Sequence, residues 1–203
     1  MRKSALIRLL VHLACALPLL FWSWQLWLTV QGQFTEISTD PGAVLADKTG
    51  FWALNFILAS LALTPLQRLF KLRWVVFRRA VGLWAFCYVV LHIVVFFTLI
   101  LGGDVADFFR EVTQRPYIVA GSLAALLLLP LALTSTEAAM RWLRKRWKTL
   151  HTLVYPAAIL AVLHELWQVK SFELVAVTHA LVLCLLLGMR VYWFYQKRSW
   201  RRV

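Results

Sequence analysis

Residues 78–101 read Arg78-Arg79-Ala80-Val81-Gly82-Leu83-Trp84-Ala85-Phe86-Cys87-Tyr88-Val89-Val90-Leu91-His92-Ile93-Val94-Val95-Phe96-Phe97-Thr98-Leu99-Ile100-Leu101. Two arginines open the stretch, and no Asp, Glu, Lys or Arg follows until its end. A helix rises 1.5 Å per residue, so about 20 apolar residues cross the hydrocarbon core of a bilayer. The stretch is therefore read as a membrane-spanning helix with a basic end and one imidazole past its middle.

The rest of the chain repeats this pattern. Of its 203 residues, 62% are hydrophobic and only 15% charged. A soluble domain is nearer half apolar and a quarter charged, so a soluble enzyme of this make-up would display its core to water. Disordered, collagen-like and coiled-coil chains are excluded on the same grounds. Six apolar segments are predicted, at 5–30, 51–67, 80–101, 117–134, 149–168 and 172–195. The first resembles a signal peptide in its opening residues, but its apolar run continues to Val30 and is too long for one. The expected fold is an all-α integral membrane bundle of six transmembrane helices, forming one domain over 1–203. No linker, internal repeat, GxGxxG after a strand or phosphate-binding loop is visible, so electrons would have to come from another molecule.

The net charge of +13 lies between the apolar blocks. Alternate connections and both termini hold 18 of the Lys and Arg residues, against four (Lys48, Arg110, Arg115 and Lys170) on the other side. The positive-inside bias then places both termini in the cytoplasm. The basic residues are read as an orientation signal that meets anionic membrane lipid, with no nucleic acid partner. Cys15, Cys87 and Cys184 fall within apolar blocks, without metal or disulfide spacing, and are read as small buried hydrophobes.

The five histidines, His12, His92, His151, His164 and His179, all fall in or at the ends of helices. Ionisable side chains inside a membrane are functional candidates by default, and neutral imidazole ligates haem iron. The third and fifth helices both enter from the cytoplasm, which puts His92 and His164 at similar depth near the outer side. Two imidazoles at one depth on neighbouring helices can hold one haem iron from both faces. His151, 13 residues before His164 and so about 20 Å deeper, is left for an inner haem. On a straight helix it stands well off the face of His164, and Pro156 between them can rewind the backbone. Counting back from His92 gives Arg78 and Arg79 in place of a partner histidine. Either the inner haem is asymmetric, with Arg78 or Arg79 on its propionates, or His12 completes it, or one haem alone is held. His179 is read as structural. Glu165 either handles a quinol proton or faces outer headgroups. Trp22, Trp24, Trp27, Trp167, Trp193 and Trp200 are read as an interfacial belt. Pro18, Pro65 and Pro130 are read as kinks.

Several local motifs carry a family resemblance: Thr64-Pro65-Leu66, Arg78-Arg79-Ala80-Val81-Gly82-Leu83-Trp84, Leu91-His92, Arg115-Pro116-Tyr117, Leu133-Thr134-Ser135, Trp147-Lys148-Thr149-Leu150-His151-Thr152-Leu153-Val154-Tyr155 and His164-Glu165-Leu166-Trp167. Over essentially its whole length the chain resembles the haem-binding membrane subunits of protein-methionine-sulfoxide reductase systems, the MsrQ (YedZ) family. More distantly it is similar to ferric-reductase and NADPH-oxidase membrane domains, which hold two haems with histidine pairs on two helices. The single histidine on the third helix departs from that pattern. The resemblance implies a b-type cytochrome with one or two haems (haem b) that passes electrons from quinol across the bacterial inner membrane. The acceptor would be a periplasmic molybdopterin methionine sulfoxide reductase, MsrP-like, that repairs oxidised proteins. FMN is implied by the resemblance alone, and a cytoplasmic flavin reductase is an alternative electron source. The outer loops 31–50 and 102–116 are candidate docking surfaces. The competing readings are a stand-alone ferric or cupric reductase, and a small proton or metal transporter that uses the same histidines.

Overall fold

Six helical stretches among the described residues are long and apolar enough to cross a membrane: Ala5–Val30, Pro41–Phe70, Trp74–Ile100, Pro116–Leu133, Lys145–Gln168 and Leu174–Gln196. The structure is a computed structural model that describes residues 2–71, 73–168 and 173–199. Lys170, Trp200, Arg201 and Arg202, which enter the sequence reading above, lie outside the described residues, as do the side chains of Arg2, Lys3, Arg73, Lys197 and Arg198.

In chain order the elements are α1 (Arg2–Val30), α2 (Pro41–Phe70), α3 (Arg78–Val95), α4 (Val105–Gln114), α5 (Pro116–Leu133), α6 (Glu137–Leu143), α7 (Lys145–Leu150), α8 (Val154–Gln168) and α9 (Leu174–Ser199). A 3-10 turn, Arg73–Phe77, leads into α3, and a π-type turn, Phe96–Ile100, follows it.

Hydropathy places the start of α2 too late. The helix begins at Pro41, where Asp40 caps it by accepting the Ala43 N–H at 2.9 Å. Proline suits a first helical position, because its missing N–H would have no intrahelical partner. Asp47 and Lys48, read from sequence as loop residues, therefore lie in α2, paired at 3.0 Å. The candidate docking loop 31–50 shrinks to 31–40. Loop 102–116 likewise contains α4, which Asp104 caps through the N–H groups of Ala106 and Asp107.

The bundle is inside-out relative to a soluble protein. Large apolar side chains such as Leu17, Trp24, Leu126, Leu181 and Leu185 are exposed on its outer surface. Lipid solvates them, so burial brings little hydrophobic gain and close packing of small residues takes over. Ala85, Ala157 and Ala158 are almost fully buried in the core, with Leu54, Ile57, Leu61, Leu128, Leu131 and Val162 around them. The most extensive helix contacts are α2 with α3 and α5 with α8, and α9 packs on α2 and α8.

Helix α1 is peripheral, and two side chains of α3, Tyr88 and Trp84, hydrogen-bond to it. The Tyr88 hydroxyl, on a fully buried ring, donates to the Cys15 carbonyl at 3.0 Å and accepts the Leu19 N–H at 2.9 Å. In an unbroken helix that N–H would bond that carbonyl directly. The tyrosine is inserted into the opening beside Pro18, a recognised cause of helix bending.

Helices α7 and α8 form one membrane span with a break. A 3-10 turn, His151–Leu153, separates them just before Pro156. Three residues wound at three per turn instead of 3.6 reduce the angular offset of His151 from His164 from about 140° to about 80°. The rewinding expected from Pro156 is thus present, N-terminal to the proline.

Candidate functional site

His92 and His164 face one another across the bundle near the end opposite the termini. Their ring centroids are 6.1 Å apart and their planes are nearly perpendicular, at 81°. His92 comes from α3, and His164 from α8.

The two sites are built alike. The Nδ1–H of His92 donates to the Ala46 carbonyl of α2 at 2.9 Å, and that of His164 to the Tyr117 carbonyl of α5 at 2.6 Å. Four residues beyond each carbonyl stands a glycine against the same imidazole. A Cβ on Gly50 would meet His92 Nδ1 at 3.2 Å, and one on Gly121 would meet His164 Nδ1 at 2.8 Å. A larger residue at Gly121 would force the His164 ring or its helix to move, and one at Gly50 would crowd His92. The packing unit is therefore repeated: two antiparallel helices, a histidine on the second, and a carbonyl with a glycine four residues on from the first. Two isolated glycines and carbonyl partners of any residue type leave no readable repeat in the sequence.

Hydrogen bonds sort the five histidines by tautomer. A carbonyl has no proton to give, so an Nδ1 bonded to one carries the proton, and Nε2 carries the lone pair that binds metals. His92, His164 and His151 share this state, with His151 Nδ1 on the Trp147 carbonyl at 3.1 Å. The indole N–H is only a donor, so Trp84 Nε1, 3.0 Å from His12 Nδ1, puts the lone pair of His12 on Nδ1 and its proton on Nε2. His12 also lies on the exposed face of α1. The buried His179 has both nitrogens engaged. Nδ1 donates to the Glu165 carboxylate at 2.9 Å, and Nε2 accepts from Asn55 at 3.2 Å. Glu165 thus turns inward to α9, not outward to headgroups.

His151 forms a second locus. Its ring stacks on Trp147 at 3.9 Å, and its Nε2 is buried without a hydrogen-bond partner; the nearby Leu131 carbonyl makes no bond of good geometry to it. Arg78 lies within electrostatic range and is half-buried, whereas Arg79 is exposed. Of the two candidate arginines, the structure thus brings only Arg78 toward His151.

The residues fit a haem. Two neutral imidazoles bound through Nε2 at about 2 Å to one metal have ring centres roughly 6 Å apart, the separation found for His92 and His164. Each also donates its second nitrogen to a carbonyl, the usual outer support of a metal-ligating histidine. Among the described residues no group of three or more His, Cys, Asp or Glu side chains could hold a bare ion.

Comparison with known proteins agrees. Residues 49–162 match the family described as ferric reductase like transmembrane component. A Xanthomonas euvesicatoria protein named protein-methionine-sulfoxide reductase heme-binding subunit MsrQ is 45% identical over 95% of this chain and 88% of its own length. Proteins of the same name from Xanthomonas axonopodis and Xanthomonas campestris are 44% and 43% identical, each over 90% of this chain and 84% of the relative. No solved structure matches.

Proposed function

Since this chain belongs to the ferric-reductase-like transmembrane family, and within it to the MsrQ haem-binding subunits, we propose that it is a b-type cytochrome of the bacterial inner membrane. Its role is to pass electrons from the quinone pool to a periplasmic, molybdenum-dependent methionine sulfoxide reductase. Both termini are cytoplasmic in this reading, because the basic residues collect at that end of the bundle.

One observation carries the proposal. Two imidazoles with Nε2 lone pairs stand 6.1 Å apart on different helices, each anchored to a neighbouring backbone. His92 and His164 would hold the outer haem. His151, with its unpartnered Nε2, would hold an inner one, and Arg78 would meet the propionates. Haem, when bound, supplies reversible one-electron chemistry. The chain orients the two ligand rings through Ala46 and Tyr117, leaves them room at Gly50 and Gly121, and keeps bulk water out with a bilayer-embedded bundle. FMN rests on the family resemblance alone, and a cytoplasmic flavin reductase remains the alternative electron source.

An absorption spectrum of the purified, reduced protein tests the reading. His92→Ala and His164→Ala are expected to remove the same haem component, since both ligate one iron. Loss of two different components, or a colourless protein reconstituted with excess haem, overturns it. The colourless result would favour the transporter reading. Capture of a periplasmic reductase, and failure to repair methionine sulfoxide on deletion, separate the proposal from a stand-alone ferric or cupric reductase.

A further inference from the structure

A second feature lies at the end of the bundle that carries the termini. A cleft of about 640 Å³ opens there between α2, α8 and α9, and its lining includes Thr64, Arg68, Tyr155, Arg190, Trp193 and Phe194. We propose that this cleft binds the phosphate of an anionic phospholipid, held between Arg68 and Arg190.

Arg190 lies within the membrane-spanning stretch of α9. Its Nη1 donates to the Tyr155 hydroxyl at 2.8 Å and its Nη2 to the Leu61 carbonyl at 2.7 Å, both neutral acceptors. Its Nε is buried without a partner. The guanidinium is therefore fixed in place while its charge is unbalanced. Arg68 and Arg78 both lie within electrostatic range of it, which adds positive charge. The basic partners of Asp and Glu among the described residues are Lys48, Arg110, Arg115, Arg141 and the imidazole of His179, so none of these three arginines takes part in an ion pair. A charge at this depth without a counter-ion is costly, and an anion entering the cleft relieves that cost.

The shape of the site favours a lipid as the source of the anion. The Arg68 guanidinium lies 4.7 Å from the Trp193 ring centre, which holds it at the rim. The Thr64 and Tyr155 hydroxyls add polar groups to the lining. Phe194 of the lining, with Leu69 and Phe70 outside the cleft, presents exposed apolar surface on which acyl chains can lie. Basic clefts between helices at the cytoplasmic boundary are where anionic headgroups bind. A soluble phosphate shares the headgroup chemistry but gains nothing from that apolar surface. The two residues that hold the phosphate, Arg68 and Arg190, have no part in the haem reading; Arg78, assigned there to the propionates, only adds charge nearby.

The test is native mass spectrometry of the full chain in mild detergent, titrated with phosphatidylglycerol or phosphatidylcholine. Wild-type protein is expected to retain phosphatidylglycerol preferentially. Arg68→Gln is expected to weaken that binding about fivefold, the effect of one arginine near a charged surface. Arg190→Gln is expected to weaken it about tenfold or more, through loss of a charge-assisted contact. Lys148→Gln, an exposed cation elsewhere at the basic end, leaves it unchanged. Arg190 also ties α9 to α2 and α8, so its variant can loosen the fold; Arg68, at the exposed rim, keeps the test decisive. Equal retention of the two lipids, or full retention by Arg68→Gln, overturns the proposal. Displacement of the lipid by inorganic phosphate would assign the cleft to a soluble anion and overturn the lipid assignment.

Discussion

The His164 ring rests against Gly121 so closely that a Cβ at that position would stand 2.8 Å from Nδ1 and 3.0 Å from Cε1. Helix α5 thus supplies both the carbonyl that orients the ring and the gap that admits it. Gly121→Ala must move the imidazole or part α5 from α8, at a cost of about 1–3 kcal/mol for overpacking. The expected outcome is weakened or lost haem absorption from the component that His164→Ala removes. Gly50→Ala meets His92 at 3.2 Å and is expected to perturb the same component less. Wild-type spectra from Gly121→Ala would show that the ring has freedom this packing denies it.

The clip on α1 makes a separate prediction. Tyr88→Phe removes the hydroxyl between Leu19 N–H and the Cys15 carbonyl and leaves two backbone groups unpaired in an apolar setting. The expected loss is about 1–3 kcal/mol, and it should be concentrated in α1. Thermal unfolding in detergent would report the loss, and faster proteolysis near the N-terminus would locate it. Unchanged behaviour in both would mean that α1 recloses its own hydrogen bond at the Pro18 bend.

Some of this was legible in the sequence, and the limits have physical causes. Apolar runs revealed all six spans, because a bilayer demands length and hydropathy. The start of α2 was hidden because Asp47 and Lys48 sit in a helix whose first turns carry charge. Counting helical rise brought His92 and His164 to one depth, and the structure does place them together. Gly50 and Gly121 carry no signal of their role in the sequence, since a lone glycine in an apolar helix is ordinary. The pairing of Glu165 with His179 was also hidden, because it joins α8 to α9 across a connection whose geometry no local pattern encodes. The signal that could have linked them is that a buried acid needs a partner, and His179 was the imidazole left over.

His12 illustrates how hydrogen bonding decides between similar residues. Sequence position made it a candidate for the inner site, but Trp84 Nε1–H occupies its Nδ1. Its Nε2 then carries the proton, and ligation through it would require giving up the Trp84 bond. His12→Ala is expected to leave haem content and the visible spectrum unchanged, and to cost about 1 kcal/mol at most from a lost, exposed hydrogen bond. A haem-to-protein ratio that falls in this variant would restore His12 as a ligand.

His151 supports the opposite expectation, and it bears on how many haems the chain holds. A buried ring nitrogen without a partner in a membrane interior costs about 1–3 kcal/mol, which a bound group would relieve. His151→Leu fills similar space with no polar atom. If the nitrogen serves packing alone, the variant should be as stable as the wild type or more so, with an unchanged haem-to-protein ratio. If His151 holds an inner haem, the ratio should fall by about one haem per chain, while the component shared by His92 and His164 persists. The two ligand sets lie at different depths, so removing one need not disturb the other. Iron analysis and reduced-minus-oxidised spectra on the same preparation distinguish the outcomes. Loss of both components together would mean that the His151 turn sets the direction of α8, and so of His164, and is not a second site.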